Sequence, residues 1–140
     1  IDSWTSTNRL TSVTTTLVVN KTCSVTVPNA NFGTASFIAE FNPVTQNMTI
    51  TCTKTEGYVT YFNNGSNASG SWNQMKAGSR FLQYDIYVPN TSTVWNQANA
   101  QPGTGTGLAQ TVPYQAKLNP AQSEQRAGSY SDTVIFTISY

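Results

Sequence analysis

Val134-Ile135-Phe136-Thr137-Ile138-Ser139-Tyr140 ends the sequence, with Val134, Phe136, Ile138 and Tyr140 on one face of an alternating run. A period of two is the signature of a β-strand with one buried face. A sandwich of this size normally closes its sheet with one strand more. Without that strand, the final run is expected to show an unpaired edge above an open hydrophobic groove. Near the other end lies a second alternating run, Val13, Thr15, Leu17 and Val19, separated from Cys23 only by Asn20-Lys21-Thr22. An extended segment of this kind, contributed by another molecule, can fill such a groove. Its main chain pairs with the edge and its alternate side chains enter the pockets. The competing reading makes Val13–Val19 an ordinary first strand, hairpinned onto Cys23–Val27 through the short loop.

Between these ends the same period recurs. Cys23, Val25 and Val27 alternate until Pro28, and Met48, Ile50 and Cys52 alternate with Thr49, Thr51 and Thr53. Tyr58–Phe62 and Phe81–Val88 read as strands, a shorter piece lies around Leu108–Tyr114, and the last strand begins near Tyr130. Asn63–Gly78 and Asn96–Gly107 read as loops, the second because of Pro102 and its Gly-x-Gly-x-Gly run. Both cysteines fall on the apolar faces of their strands, where an inter-sheet disulfide can form. Two buried free thiols are the alternative. A bridge closing a loop of this length stabilises by roughly 3–4 kcal/mol in the chain-entropy model. Short strands, polar loops and one disulfide predict an antiparallel sandwich of immunoglobulin type.

Composition narrows the function. The chain has 140 residues, 38% of them hydrophobic, which suits one domain with one core. Only 9% are charged, against roughly 25% in ordinary globular proteins, so the surface is polar but nearly uncharged. That points to an extracellular, matrix-like protein. The formal charge is +1 and the lysines and arginines are scattered singly, which argues against nucleic acid. No apolar run approaches the ~20 residues that span a bilayer. The absence of an initial Met and of a leader fits a mature secreted product, and an even cysteine count fits an oxidising compartment.

Chemistry is hard to find. The chain has no histidine, which removes Ser-His-Asp and Cys-His nucleophiles and most zinc sites. Asp2, Glu40, Glu56, Asp85, Glu124 and Asp132 would have to supply any paired carboxylates. They read as scattered surface acids. Neither an enzyme nor a cofactor is expected. Trp72 and Trp95 sit in or beside polar loops and suit either sugar stacking or packing at the sandwich rim.

The sequence resembles the spore coat protein U-like subunits of archaic chaperone–usher pili. The likeness is carried by Cys23-Ser24-Val25 with Phe32-Gly33, by Cys52-Thr53, and by Leu82-Gln83-Tyr84-Asp85-Ile86-Tyr87 with Trp95 beyond. Its most specific piece is the ending from Gly128-Ser129-Tyr130-Ser131-Asp132-Thr133 to Tyr140. The resemblance runs from about Val13 to Tyr140. It implies an all-β, incomplete immunoglobulin-like sandwich completed by a donor strand from a neighbouring subunit. Residues 1–20 would form an extension holding the donor strand at about 13–19, and residues 21–140 the sandwich. Val13, Thr15, Leu17 and Val19 would enter the neighbour's groove, Thr15 being more polar than such a position normally allows. Val134, Phe136, Ile138 and Tyr140 would form the edge strand paired with the donor or, before assembly, with a periplasmic chaperone. An outer-membrane usher would exchange the two. The implied product is an adhesive or biofilm-type surface fibre. A tip adhesin, a carbohydrate-binding domain and a spore-coat component are the other readings.

Overall fold

The computed structural model describes residues 11–140, so Trp4 and the first half of the 1–20 extension lie outside the described residues. Eight strands occur among them: β1 Cys23–Thr26, β2 Val44–Cys52, β3 Gly57–Phe62, β4 Asn73–Ala77, β5 Arg80–Tyr87, β6 Gln101–Thr104, β7 Ala109–Leu118 and β8 Phe136–Ser139. They form two antiparallel sheets, one ordered β1-β2-β7-β5-β4 and the other β6-β3-β8. No helix among the described residues is long and apolar enough to cross a membrane.

Alternation puts the core where the sequence predicts it. Met48, Ile50 and Cys52 of β2 are fully buried, while Thr49 faces solvent. Ile50 and Cys52 pack with Tyr58 at one end of the sandwich, against Cys23, Val25, Phe136 and Ile138. Met48, Phe62, Tyr84, Ile86, Trp95 and Tyr114 fill the other end. Phe62 sits at the centre of an aromatic cluster, 5.4 Å from Trp95, 5.3 Å from Tyr114 and 4.8 Å from Phe136 between ring centroids.

Cys23 and Cys52 are disulfide-bonded, but the bridge does not join the two sheets. It links neighbouring strands of one sheet, because β1 pairs antiparallel to β2 with Cys23 directly opposite Cys52. Periodicity gives the face a cysteine occupies and says nothing of its cross-strand partner.

Both expected loops contain a strand. Gly78, at φ +61°, turns β4 back onto β5 inside the Asn63–Gly78 stretch. β6 occupies Gln101–Thr104 despite Pro102 and Gly103. It lies at a sheet edge, where a missing N–H is tolerated, and Gly103 leaves room for the Tyr58 ring, which a Cβ there would strike. β7 runs past Tyr114 to Leu118. Its Pro113 lies opposite Asn47 of β2, before the segment that pairs with β5. The final strand is regular only over Phe136–Ser139. Residues 128–135 instead approach β4, where Lys76 and Ser131 exchange two backbone hydrogen bonds of 2.8 and 3.1 Å.

Asp85 lies on the face of β5 opposite to Tyr84 and Ile86, yet is only 3% exposed. One carboxylate oxygen accepts from the Asn73 backbone N–H at 3.2 Å. Lys117, its cross-strand partner, donates instead to the Thr91 carbonyl and lies over the Tyr87 ring. Burial pushes the Asp85 carboxyl from 3.8 up to about 6, with the Asn73 hydrogen bond opposing. The folded state therefore favours the protonated acid. Its contribution is fully present below pH ~4 and is lost as the pH rises through about 6. Asp85→Asn, which imitates the protonated acid, is expected to gain roughly 1–3 kcal/mol on the wild type between pH 4 and pH 7.5. Thermal melts at the two pH values measure this, and a pH-independent difference would contradict it.

Candidate functional site

β1 and β8 are edge strands of opposite sheets, and both pack on the same residues. Going from Cys23 to Val27, β1 runs from the Ile50/Tyr58 end of the core to the Phe62/Tyr84 end. From Val134 to Ile138, β8 runs the other way. The two edges therefore flank one side of the sandwich in opposite directions, with no described strand between them. At the Phe62/Tyr84 end this seam widens into a cleft of about 840 Å³. Residues 27–35 form one wall and residues 128–134 the other, over a floor that includes Phe62, Tyr84, Ile86 and Tyr114.

The walls are held differently. Pro28 is fixed by the Tyr114 hydroxyl, which donates to its carbonyl, and Ile38 N–H by the Glu124 carboxylate. The other wall is bonded along its length. The Asp132 carboxylate accepts from Ser66 N–H at 3.0 Å, Asn67 Nδ2 at 3.1 Å and the Tyr84 hydroxyl at 2.6 Å. Burial, then the bond to Asp132 and its charge, hold the Tyr84 phenol far above its ordinary range, so it is a neutral donor at working pH. Gly65, at φ +74°, lies against Asp132, leaving no room for a Cβ.

The N-terminal run stands apart. Thr11–Thr22 carries no strand, and Val13, Leu17, Val18 and Val19 are 85, 85, 74 and 73% exposed. Thr15 is exposed as well. The hairpin onto Cys23–Val27 is not formed, since β1 has β2 as its one neighbour. The arm leaves the sandwich at Asn20–Thr22, where Thr53 N–H donates to the Thr22 carbonyl and Thr22 N–H to the Thr53 hydroxyl. Lys21 lies 3.8 Å from Glu56.

Of the final-run residues, Val134 lines the cleft, Phe136 packs at a tilt against Phe62, and Ile138 packs on the Ile50/Tyr58 end. Tyr140 lies beyond the β8 ladder and is 47% exposed. Trp95 is not at a rim. It is 3% exposed, and its indole N–H donates to the Thr60 carbonyl at 2.9 Å. Tyr84, Tyr114 and Asp132 are site residues that the alternation alone does not single out.

An immunoglobulin-like sandwich, open along one side and trailing an unpaired apolar arm, is the class that these elements define. The chain belongs to the Spore Coat Protein U domain family, whose model matches residues 9–137. Its fold is similar to a chain in the crystal structure of the CsuC–CsuE chaperone–tip adhesion subunit pre-assembly complex, from archaic chaperone–usher Csu pili of Acinetobacter baumannii. The TM-score is 0.71 and the identity 27% over 87% of this chain; the match spans 40% of that chain. No curated protein matches the sequence.

Proposed function

We propose that this chain is a structural pilus subunit that polymerises by donor-strand exchange. Residues 1–20 form the donating extension and residues 21–140 the accepting sandwich. Val13, Thr15, Leu17 and Val19 of one copy enter the seam of the next, between residues 23–35 on the β1 side and the edge that runs from the 128–134 wall into β8. The observation that carries this reading is the pairing, in one chain, of an exposed alternating arm with a sandwich open along a seam. Each aliphatic side chain moved from water into the seam contributes ~1.5–3 kcal/mol. The junction is then long-lived.

Strand direction favours a neighbour over the chain's own arm. Folded back through Asn20–Thr22, the arm would run antiparallel to β1, hence parallel to β8. A second copy is free to pair antiparallel to β8, the somewhat more stable ladder. Before assembly the seam would be held by a periplasmic chaperone and then handed over at an outer-membrane usher. The likeness to a chaperone–subunit complex supports that route, which leads through the periplasm to the cell surface. The same likeness, to a complex that contains a tip adhesion subunit, favours a tip adhesin as the second reading. The buried, hydrogen-bonded Trp95 is unavailable for a ligand, and a tip subunit has no use for an arm.

Electron microscopy of the purified chain is expected to show thin linear polymers. Deleting residues 1–19 should abolish them and leave a sandwich that binds a synthetic peptide of residues 11–20. A truncated chain that is monomeric, as stable as the intact one and indifferent to the peptide would sink the proposal.

A further inference from the structure

The wall formed by residues 128–134 carries a code that matches the arm. Tyr130, Asp132 and Val134 are half-buried, while Ser129, Ser131 and Thr133 are exposed, so the even-numbered side chains face inward. Ser131 spends its backbone N–H and C=O on Lys76, and Ile135 spends its own on Asn63. The backbone groups of Tyr130, Asp132 and Val134 point the opposite way, and none has a partner among the described residues. This is an unpaired strand edge, and it continues that of β8 alongside the cleft.

Asp132 is the one charged side chain among the described residues lining the cleft. Two donors occupy its Oδ1, whereas Oδ2 receives only the Tyr84 hydroxyl and keeps a lone pair. The inward face of the arm likewise has one polar member, Thr15, flanked by Val13 and Leu17.

Resting on the strand-exchange reading above, we propose that Thr15 sets the register of the junction by sitting opposite Asp132. The donor runs antiparallel to the wall, with Val13 beside Val134, Thr15 beside Asp132 and Leu17 beside Tyr130. Residues opposite each other in an antiparallel ladder point to the same face. The Thr15 hydroxyl thus reaches the free lone pair of Oδ2, Val13 meets an aliphatic side chain and Leu17 an aromatic one, while Val19 falls beside Gly128. A slip of two residues would press Val13 or Leu17 onto the carboxylate and strand the Thr15 hydroxyl among apolar groups. Thr15, unwelcome in an apolar pocket, becomes the residue that selects this one.

Cysteine cross-linking tests the register on full-length chains. Val13→Cys in one preparation and Val134→Cys in another are mixed, assembled and mildly oxidised. An intermolecular cross-link at this pair is the expected result. Cross-linking of Val19→Cys with Val134→Cys instead, as when the arm lies along Val134–Tyr140, would overturn the register and leave strand exchange standing. A failure of the unsubstituted chain to polymerise would overturn both. In parallel, Thr15→Val is expected to speed subunit release about tenfold, the size of one charge-assisted hydrogen bond, with Thr15→Ser near wild type. Equal release by both variants would also count against it.

Discussion

Leu17→Asp is expected to stop polymer growth while leaving the acceptor seam in working order. Leu17 is 85% exposed in the unassembled chain, so a carboxylate there costs the monomer almost nothing. In the proposed junction the same side chain would be buried against the cleft, with no described basic residue lining it. An uncompensated buried charge costs several kcal/mol, and the lost aliphatic burial adds ~1.5–3 more. About 5 kcal/mol in total weakens the junction by more than a thousandfold. On the proposed assembly the variant would still accept a wild-type arm, so small amounts added to wild-type chains should cap one end and shorten the polymers. Light scattering with electron microscopy reads both effects. Undiminished growth of the pure variant would show that this face of the arm does not enter the seam.

Trp95→Ala is expected to lower the unfolding free energy by about 3–5 kcal/mol, a large part of what a domain of this size possesses. Trp95 packs edge-on to Phe62 and lies 6.1 Å from Phe136, so the truncation opens a void beneath the aromatic cluster. The Thr60 carbonyl also loses the indole N–H. Trp95→Phe keeps much of the volume and should lose less. Denaturant unfolding of the two variants measures the difference. A loss below ~1 kcal/mol for Trp95→Ala would mean that the neighbours close over the gap.

The sequence is legible where one face of a strand is buried and the other is wet. The alternation of Met48, Ile50 and Cys52 with threonines is of this kind; in the last strand Phe136 and Ile138 pack on the core, but Thr137 between them is half-buried as well. β4 hides because Asn73–Ala77 contains a single large apolar residue, Met75, and β6 because Pro102 and Gly103 carry turn chemistry while lying on an edge. Trp95 misleads because its polar neighbours mark a loop, and a loop residue can still turn its side chain into the core. The cleft is half legible. The Tyr130, Asp132, Val134 wall extends the final alternation, whereas residues 27–35 follow no period. The bonds converging on Asp132 come from residues far apart in the chain.

The disulfide also fixes how a fibre joined in this way would bear tension. A pull on the arm reaches the sandwich at Thr22 and Cys23, the first residue of β1. From Cys23 the load passes through the sulfur bridge into β2, which lies inside the five-stranded sheet between β1 and β7. A short edge strand held by hydrogen bonds alone would peel. Bolted at its leading end, it passes the strain on to the long β2–β7 ladder, where many bonds must shear together before anything gives way.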